Sequence, residues 1–560
     1  MSKNKFLMLI SLLLLFLPTL LAACSQDTTA DDLETIIPES FITPTTSIPQ
    51  HDFPWWNDAV FYEIFVRSFY DSDGDGIGDF NGLTEKLDYL NDGDPNSMDD
   101  LGISGIWLMP IFPSTSYHGY DVINYRDVNP DFGTMDDFKK FLEEAHKRNI
   151  KVIIDFVVNH TSIEHPWFEE ARSNLESPYR DWYIWVTDKP TYKGPWGQDV
   201  WHFNYDNTYY YGVFWSGMPD LNFRNQEVTD EVYEIAEFWL KEIGVDGFRI
   251  DGALHLIEDG QVQKNTDATH EWFRAFNEHY KAINPQAMAV GEVWDSNFLA
   301  VRYVKDKEFD LVFDFEQANA IMLGVMGSDG QRVLNALEFN YNLYPDFQKA
   351  NFLTNHDMNR VMHVFQGNEN KAKAAAVILL TSPGVPFIYY GEEVGMLGAK
   401  PDENIRLPMQ WSAEVNAGFS SGSPWRSVND NYLDWNVDTL TQNSESLTNL
   451  YRNLIHSRNN SAALRIGDFQ TLKTNERNVI AYARVLVDEI TIILINLENT
   501  DKNVVVDIPD GLLVAGEYEV ISLLDSKEMA AIKVVEGKTT SYIPQDKFTP
   551  WEYLILKIKP

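Results

Sequence analysis

The sequence predicts an α/β protein: a parallel (β/α)8 barrel of the TIM type, a small domain inserted after its third strand, and a C-terminal antiparallel β-sandwich. Three observations carry this reading. Short apolar runs alternate with helical stretches eight times, the pattern of a parallel sheet that closes on itself. Four segments, DFVVNH (155–160), GFRIDG (247–252), GEVW (291–294) and FLTNHD (352–357), each deliver a carboxylate at a probable strand end. A barrel builds its active site where its strands finish. The tail changes character to short β-rich runs separated by turns.

The chain has 560 residues. A barrel of about 250 residues or more, with insertions and one added domain, accounts for that length. Lys3 and Lys5 form a basic start, followed by a mostly apolar run over 6–21 and then small residues. This reads as an export signal over 1–23. Leu21-Ala22-Ala23-Cys24 contains the chain's single cysteine and is similar to a bacterial lipobox, so Cys24 is expected to carry lipid and tether the protein to the outer side of a cell membrane. Residues 24–52 are rich in Ser, Thr, Asp and Pro and read as a flexible tether. No later segment offers the ~20 apolar residues of a membrane span.

Strand candidates follow at 59–68, 105–110, 151–158, 247–251, 287–293, 311–315, 351–354 and 386–390. Helices are expected between them, among others at 135–148, with Phe138, Phe141, Leu142 and Ala145 on one face, and at 231–243. The barrel is therefore assigned to 53–160 and 226–463. Residues 161–225 break the rhythm with an irregular, aromatic excursion, read as an inserted domain over the barrel mouth. A helix is expected near 447–458. The runs VIAYARVLV, ITIILINLE, NVVVDIP and EYEVISLLD place the sandwich at 464–560.

Acidic residues outnumber basic ones by 84 to 44, a net charge of −40. Such a field repels phosphate backbones and excludes a nucleic-acid role, whereas a neutral polymer is not repelled. The 16 Trp, 26 Tyr and 33 Phe suit both core packing and the apolar faces of sugar rings. Paired carboxylates at a barrel mouth suit glycosidic bond cleavage, where one acid protonates the leaving oxygen and another attacks or steadies the sugar cation.

The four segments, with Met218-Pro219-Asp220-Leu221-Asn222, RLPMQW (406–411) and NAGFS (416–420), resemble the α-amylase family of glycoside hydrolases, near a subgroup between oligo-1,6-glucosidases and neopullulanases. The resemblance covers nearly everything from Trp55 onward. It implies Asp251 as nucleophile, Glu292 as general acid/base and Asp357 as the third acid that holds the distorted sugar. Arg249, two residues before Asp251, is expected to hold the nucleophile's pKa down. Partial burial and neighbouring negative charge are expected to raise that of Glu292. His118, His160 and His356 match sugar-contacting positions, and Tyr120 matches a stacking aromatic. Arg249, His255 and Trp294 complete the expected substrate-binding set. Trp215 and the tyrosines 209–211 suit sugar platforms and core packing alike.

The substrate implied is starch or a maltooligosaccharide, acted on by a monomer. Leu254-His255 departs from the Lys-His pair usual in the family. Gly252 stands where relatives favouring α-1,6 bonds tend to carry Val, which leans toward α-1,4 cleavage. A glucosidase, neopullulanase-like or transglycosylating activity, and a catalytically silent maltodextrin-binding protein, are the alternatives.

Residues 71–79 place acids at positions one, three, five and nine of a glycine-containing loop, a hard-oxygen set suited to Ca²⁺. Gly82 stands where an EF-hand needs its bidentate Glu. The loop instead resembles a calcium site of oligo-1,6-glucosidase relatives, with Asp71, Asp73, Asp75, Asp79 and the carbonyl of Ile77 as ligands. A second calcium is expected at Asn159 and the carbonyl of His255, although Asn222 stands where the family supplies an acid.

Overall fold

The computed structural model describes residues 53–487 and 489–559. The expected signal, tether and Cys24 lie outside the described residues. Barrel strands β1 (Phe61–Ile64), β2 (Gly105–Leu108) and β3 (Lys151–Phe156) come first. An excursion then carries β4 (Trp185–Val186), β5 (Trp201–Phe203) and β6 (Tyr209–Tyr211). The barrel resumes with β7 (Gly247–Ile250), β8 (Met288–Gly291), β9 (Leu311–Phe313), β10 (Lys349–Asn351) and β11 (Val385–Tyr389). The eight barrel strands close in the order β1-β2-β3-β7-β8-β9-β10-β11, every neighbour parallel.

Nearly every barrel-strand position is buried, because side chains on one face fill the barrel and those on the other meet the helices. Phe61, Trp107, Ile153, Val290, Leu311, Phe313 and Phe387 form the interior, with Phe61 stacked on Phe387 at 4.4 Å. Tyr62, Ile106, Ile154 and Phe248 point into the outer core. Strands buried on both faces read as continuous apolar runs, which is why they stand out in the sequence.

The helix Met135–Lys147 follows its predicted span and starts with a Thr134–Asp137 capping box. The helix expected at 231–243 begins earlier, at Gln226, because Asn225 caps it by accepting from Glu227 N. Its last turn, Phe238–Ile243, is π-helical and stops at left-handed Gly244. The strand expected at 351–354 is instead Lys349–Asn351. Phe352 already turns into the barrel core, so the chain from Phe352 to Asp357 is a loop above the sheet.

Strands β4–β6 form a small antiparallel sheet over a core of Val200, Trp201, Tyr211 and Val213. Leu221 N donates to Asn159 O at 3.0 Å and Thr161 N to Pro219 O at 3.1 Å, which seats the end of the excursion on the loop after β3.

The tail holds β12 (Asp468–Thr471), β13 (Lys473–Thr474), β14 (Val479–Leu486), β15 (Glu489–Asn496), β16 (Val506–Ile508), β17 (Gly516–Ser522), β18 (Ile532–Val534), β19 (Thr540–Tyr542) and β20 (Tyr553–Lys559). A six-stranded antiparallel sheet, β12-β14-β15-β20-β17-β18, is joined by a three-stranded one, β13-β16-β19. Ala481, Ile492 and Leu556 pack toward the smaller sheet, while Ile480, Ile493 and Ile555 pack into the barrel's outer core. At that seam the buried guanidinium of Arg484 donates to the carbonyls of Thr381, Leu464 and Gly467 at 2.8–2.9 Å. Arg458 donates to those of Leu464 and Gly384.

Candidate active site and acidic loop

Asp251 directly follows β7, Glu292 directly follows β8, and Asp357 lies six residues beyond β10. All three line one cavity of about 640 Å³. The centre of the arrangement is Arg249, which is 1 % exposed. Its Nη1 donates to Asp251 Oδ1 at 2.6 Å and to both oxygens of Asp155 at 2.9 and 3.0 Å. Its Nη2 lies 3.0 Å from Glu292 Oε2, which also accepts from Gly252 N at 2.9 Å. One guanidinium therefore spans both Asp251 and Glu292.

A second cationic pair holds Asp357. His356 Nε2 is 3.1 Å from Asp357 Oδ2, and Arg406 Nη2 donates to Oδ1 at 2.8 Å. His356 is gripped from behind by Glu63 Oε1 at 2.5 Å, and Tyr120 Oη bonds its Nε2 at 2.7 Å. Burial opposes charge on His356, but Asp357 and Glu63 outweigh it and push its pKa up to about 10. Burial likewise opposes ionisation of Asp357, yet His356 and Arg406 hold its carboxyl well below the usual range.

The other acids behave differently. Burial pushes Asp251 up even though Arg249 pulls it down, with Asp357 adding repulsion. The expectation that Arg249 would leave Asp251 depressed is thus corrected: one guanidinium divided among three carboxyls does not offset their desolvation. Glu292 rises as expected, first by burial and then by the charges of Asp251 and Asp357. Asp155, fully buried inside β3 rather than at its end, is pushed up to about 7 by burial, with Arg249 opposing.

His118 lines the cavity and accepts from Tyr120 N through Nδ1 at 3.1 Å, leaving Nε2 to carry the proton. Burial lowers its pKa and keeps it neutral. His160 bonds the carbonyl of Tyr120 through Nε2 at 3.0 Å, and burial takes it down to about 4. His255 is held by the carbonyl of Gln263 at 2.8 Å. Trp294 stacks on Phe315 at 4.5 Å and stays half exposed on the cavity wall. Tyr210 and Tyr211 are buried, Tyr211 in the inserted core and Tyr210 against Phe168, and neither lines the cavity.

Gly252 adopts φ +51°, and a Cβ there would sit 2.8 Å from the Phe214 ring. Glycine is needed both for that conformation and for the contact. Trp196, on the inserted segment, roofs the cavity beside Phe214 and His255. Sequence reasoning missed Trp196, Glu63 and the role of Asp155. An acid inside an apolar strand was the available signal for the last two.

The acidic loop is a separate cluster. Ligand oxygens of Asp71, Asp73 and Asp79 lie within 4.8 Å of one another. Asp71 accepts from the amides of Asp73, Gly74 and Gly76, and Asp79 from Ser72 N and Gly82 N. No Lys, Arg or His pairs with these three among the described residues. Gly76 has φ +96°, and a Cβ there would strike Ser423 O at 2.0 Å, so the wrap requires glycine. Asp75 is not one of the three, and its Oδ1 accepts from Ile77 N at 2.7 Å. Three hard carboxylates without a cationic neighbour fit a divalent ion.

At the expected second site, Asn159 is fully buried. The nearby acid from the excursion is Asp220, which pairs with His160 through a backbone bridge. Asn222 instead donates to Asp181 O at 2.9 Å at the surface.

The family described as alpha amylase, catalytic domain, matches residues 63–467. Alpha-amylase 3 of Dictyoglomus thermophilum is 43% identical over 473 residues, covering 82% of this chain and 89% of that protein. An oligo-1,6-glucosidase of Parageobacillus thermoglucosidasius is 32% identical, covering 90% of this chain and 99% of its own. The crystal structure of an alpha-amylase from H. orenii superposes with a TM-score of 0.78 at 41% identity, covering 89% of this chain and 99% of that one.

Proposed function

The chain belongs to the α-amylase family of glycoside hydrolases, and within that family we propose that it cleaves internal α-1,4 bonds of starch and maltooligosaccharides with retention of configuration. The carrying observation is that Asp251 and Glu292 share one buried guanidinium at the floor of a cavity whose far wall holds ionised Asp357.

In this reading Asp251 Oδ attacks the anomeric carbon while Glu292 gives its proton to the departing glycosidic oxygen. A glycosyl–aspartate ester forms. Water then attacks the same carbon, Glu292 takes a proton from it, and the ester bond to Asp251 breaks. Burial and mutual repulsion raise both carboxyls, so the pair favours a single shared proton. In this reading that proton sits on Glu292, the state the first step needs, while Arg249 Nη1 donates to Asp251 at 2.6 Å. Asp357, clamped by His356 and Arg406, stays anionic to receive sugar hydroxyls and to steady positive charge at the ring. His118 and Tyr120 flank the same sugar, and Trp294 and Trp196 offer apolar faces to its neighbours.

Support for α-1,4 specificity comes from the first named relative and from Gly252, whose conformation leaves no room for a larger side chain. Oligo-1,6-glucosidase relatives favour the second reading, exo-cleavage at α-1,6 ends. A timed product profile on starch, pullulan and maltotriose separates them: mixed maltooligosaccharides at early times are expected. Glucose alone from the first time point would sink endo-action. Absence of any new reducing ends, with maltodextrin still bound, would mark a silent binding protein.

The loop of Asp71, Asp73 and Asp79 is read as a structural Ca²⁺ site. The N-terminal pattern ending at Cys24 supports an exported, lipid-anchored protein.

A further inference from the structure

Beside the active-site cavity lies a second one of about 410 Å³, lined by Asn297, Glu316, Asn335, Ala336, Phe339 and Asn340. The Trp294–Phe315 stack lies between their linings along the chain. Trp294 lines the first cavity and stacks on Phe315, while Asn297, three residues after Trp294, and Glu316, directly after Phe315, line the second. Glu316 Oε2 accepts from Asn297 N at 3.0 Å, tying the two loops together.

The second cavity has two kinds of surface. Its floor is rigid: the buried amides of Asn297 and Asn340 bond each other at 2.8 Å and both reach Asp314. Its edge is apolar and open. Phe339 is 44% exposed and meets Phe298, 66% exposed, edge to face at 5.5 Å. Two large phenyl rings held against each other and open to solvent make an apolar patch at the surface. The other carboxylate oxygen of Glu316 and the Asn335 amide nitrogen make no hydrogen bond among the described residues. Apolar rings beside an unengaged acceptor and donor match a pyranose, which offers an apolar face and a rim of hydroxyls.

We propose that this groove is a remote sugar-binding subsite that takes the continuation of an α-glucan chain leaving the active site past Trp294. The inference rests on the α-1,4-glucanase reading above and sharpens it: the enzyme should prefer chains long enough to span both cavities. Anionic or protein occupants fit less well, because Glu316 repels the former and the paired phenyl edge is too small for a stable protein interface.

The test is a paired kinetic comparison on the full chain. Phe298→Ala combined with Phe339→Ala is assayed on amylose and on maltotriose. The expected result is a fall of about tenfold in kcat/KM on amylose, mainly through KM, with maltotriose kinetics unchanged within about twofold. Thermal melting of the variant checks that the fold is intact, as both rings are at the surface. Tyr205→Ala, an exposed aromatic elsewhere on the inserted segment, should alter neither substrate. Equal effects on both substrates, or none on either, would overturn the groove while leaving the hydrolase reading in place. Failure of the unaltered protein to cleave either glucan would overturn both.

Discussion

Two acid clusters of this protein make opposite use of the same side chain. In the 71–79 loop, the carboxylates accept backbone amides and pair with no Lys, Arg or His among the described residues. In and above the barrel mouth, Asp155, Asp251, Glu292 and Asp357 are pinned by Arg249, His356 and Arg406. The difference lies in what neutralises the charge. Fixed protein cations leave the rim carboxyls poised at separated pKa values, with Asp357 far down and Glu292 up, which is the condition for dividing acid and anion roles. Amides alone leave the loop with negative charge to spare, the condition for holding a divalent ion.

The sharpest way to break this contrast is Asp251→Asn. Loss of the nucleophile is expected to lower kcat by about 10⁴-fold or more. Binding of maltoheptaose by calorimetry should persist. Substantial turnover in that variant would mean that the rim cluster does not work as argued.

Next in size is His356→Gln, which strips a cation from between two buried acids. A stability loss of about 3–5 kcal/mol is expected, read by denaturant titration. The pH dependence gives the sign. The folded pKa of His356, about 10, lies above its unfolded value of about 6.5. Its contribution is therefore complete below about pH 6.5 and is lost as pH climbs toward 10. The variant's melting temperature should fall less steeply across that window than the unaltered chain's, and parallel slopes would discredit the charged imidazole.

The smallest effect belongs to the loop. Chelation should lower the melting temperature by about 3 °C. Asp71→Asn should abolish that difference, while Asp75→Asn should preserve it because Asp75 faces Ile77 N. If Asp75→Asn behaved like Asp71→Asn, the three-acid cluster would need a fourth member.

Much of the site was legible because burial on both faces makes barrel strands conspicuous as apolar runs. A polar residue ending such a run, as Asp251 and Glu292 do, marks the rim. Asp357 was found by motif despite a misplaced strand, since a three-residue β10 carries little periodic signal. Asp75 was expected among the calcium ligands and lies outside the three-acid cluster, a difference of side-chain direction that spacing alone cannot reveal.

The sequence by itself determined the order of elements, the barrel with its excursion and sandwich, and the identity of the acids, because hydrophobic pattern and turn chemistry act over a few residues. Only the tertiary structure decided who neutralises whom. Glu63 reaches His356 across 293 positions and Tyr120 across 236, and the roof of Trp196 arrives from another domain. Charge interactions depend on distance and desolvation in space, and neither quantity is written along the chain.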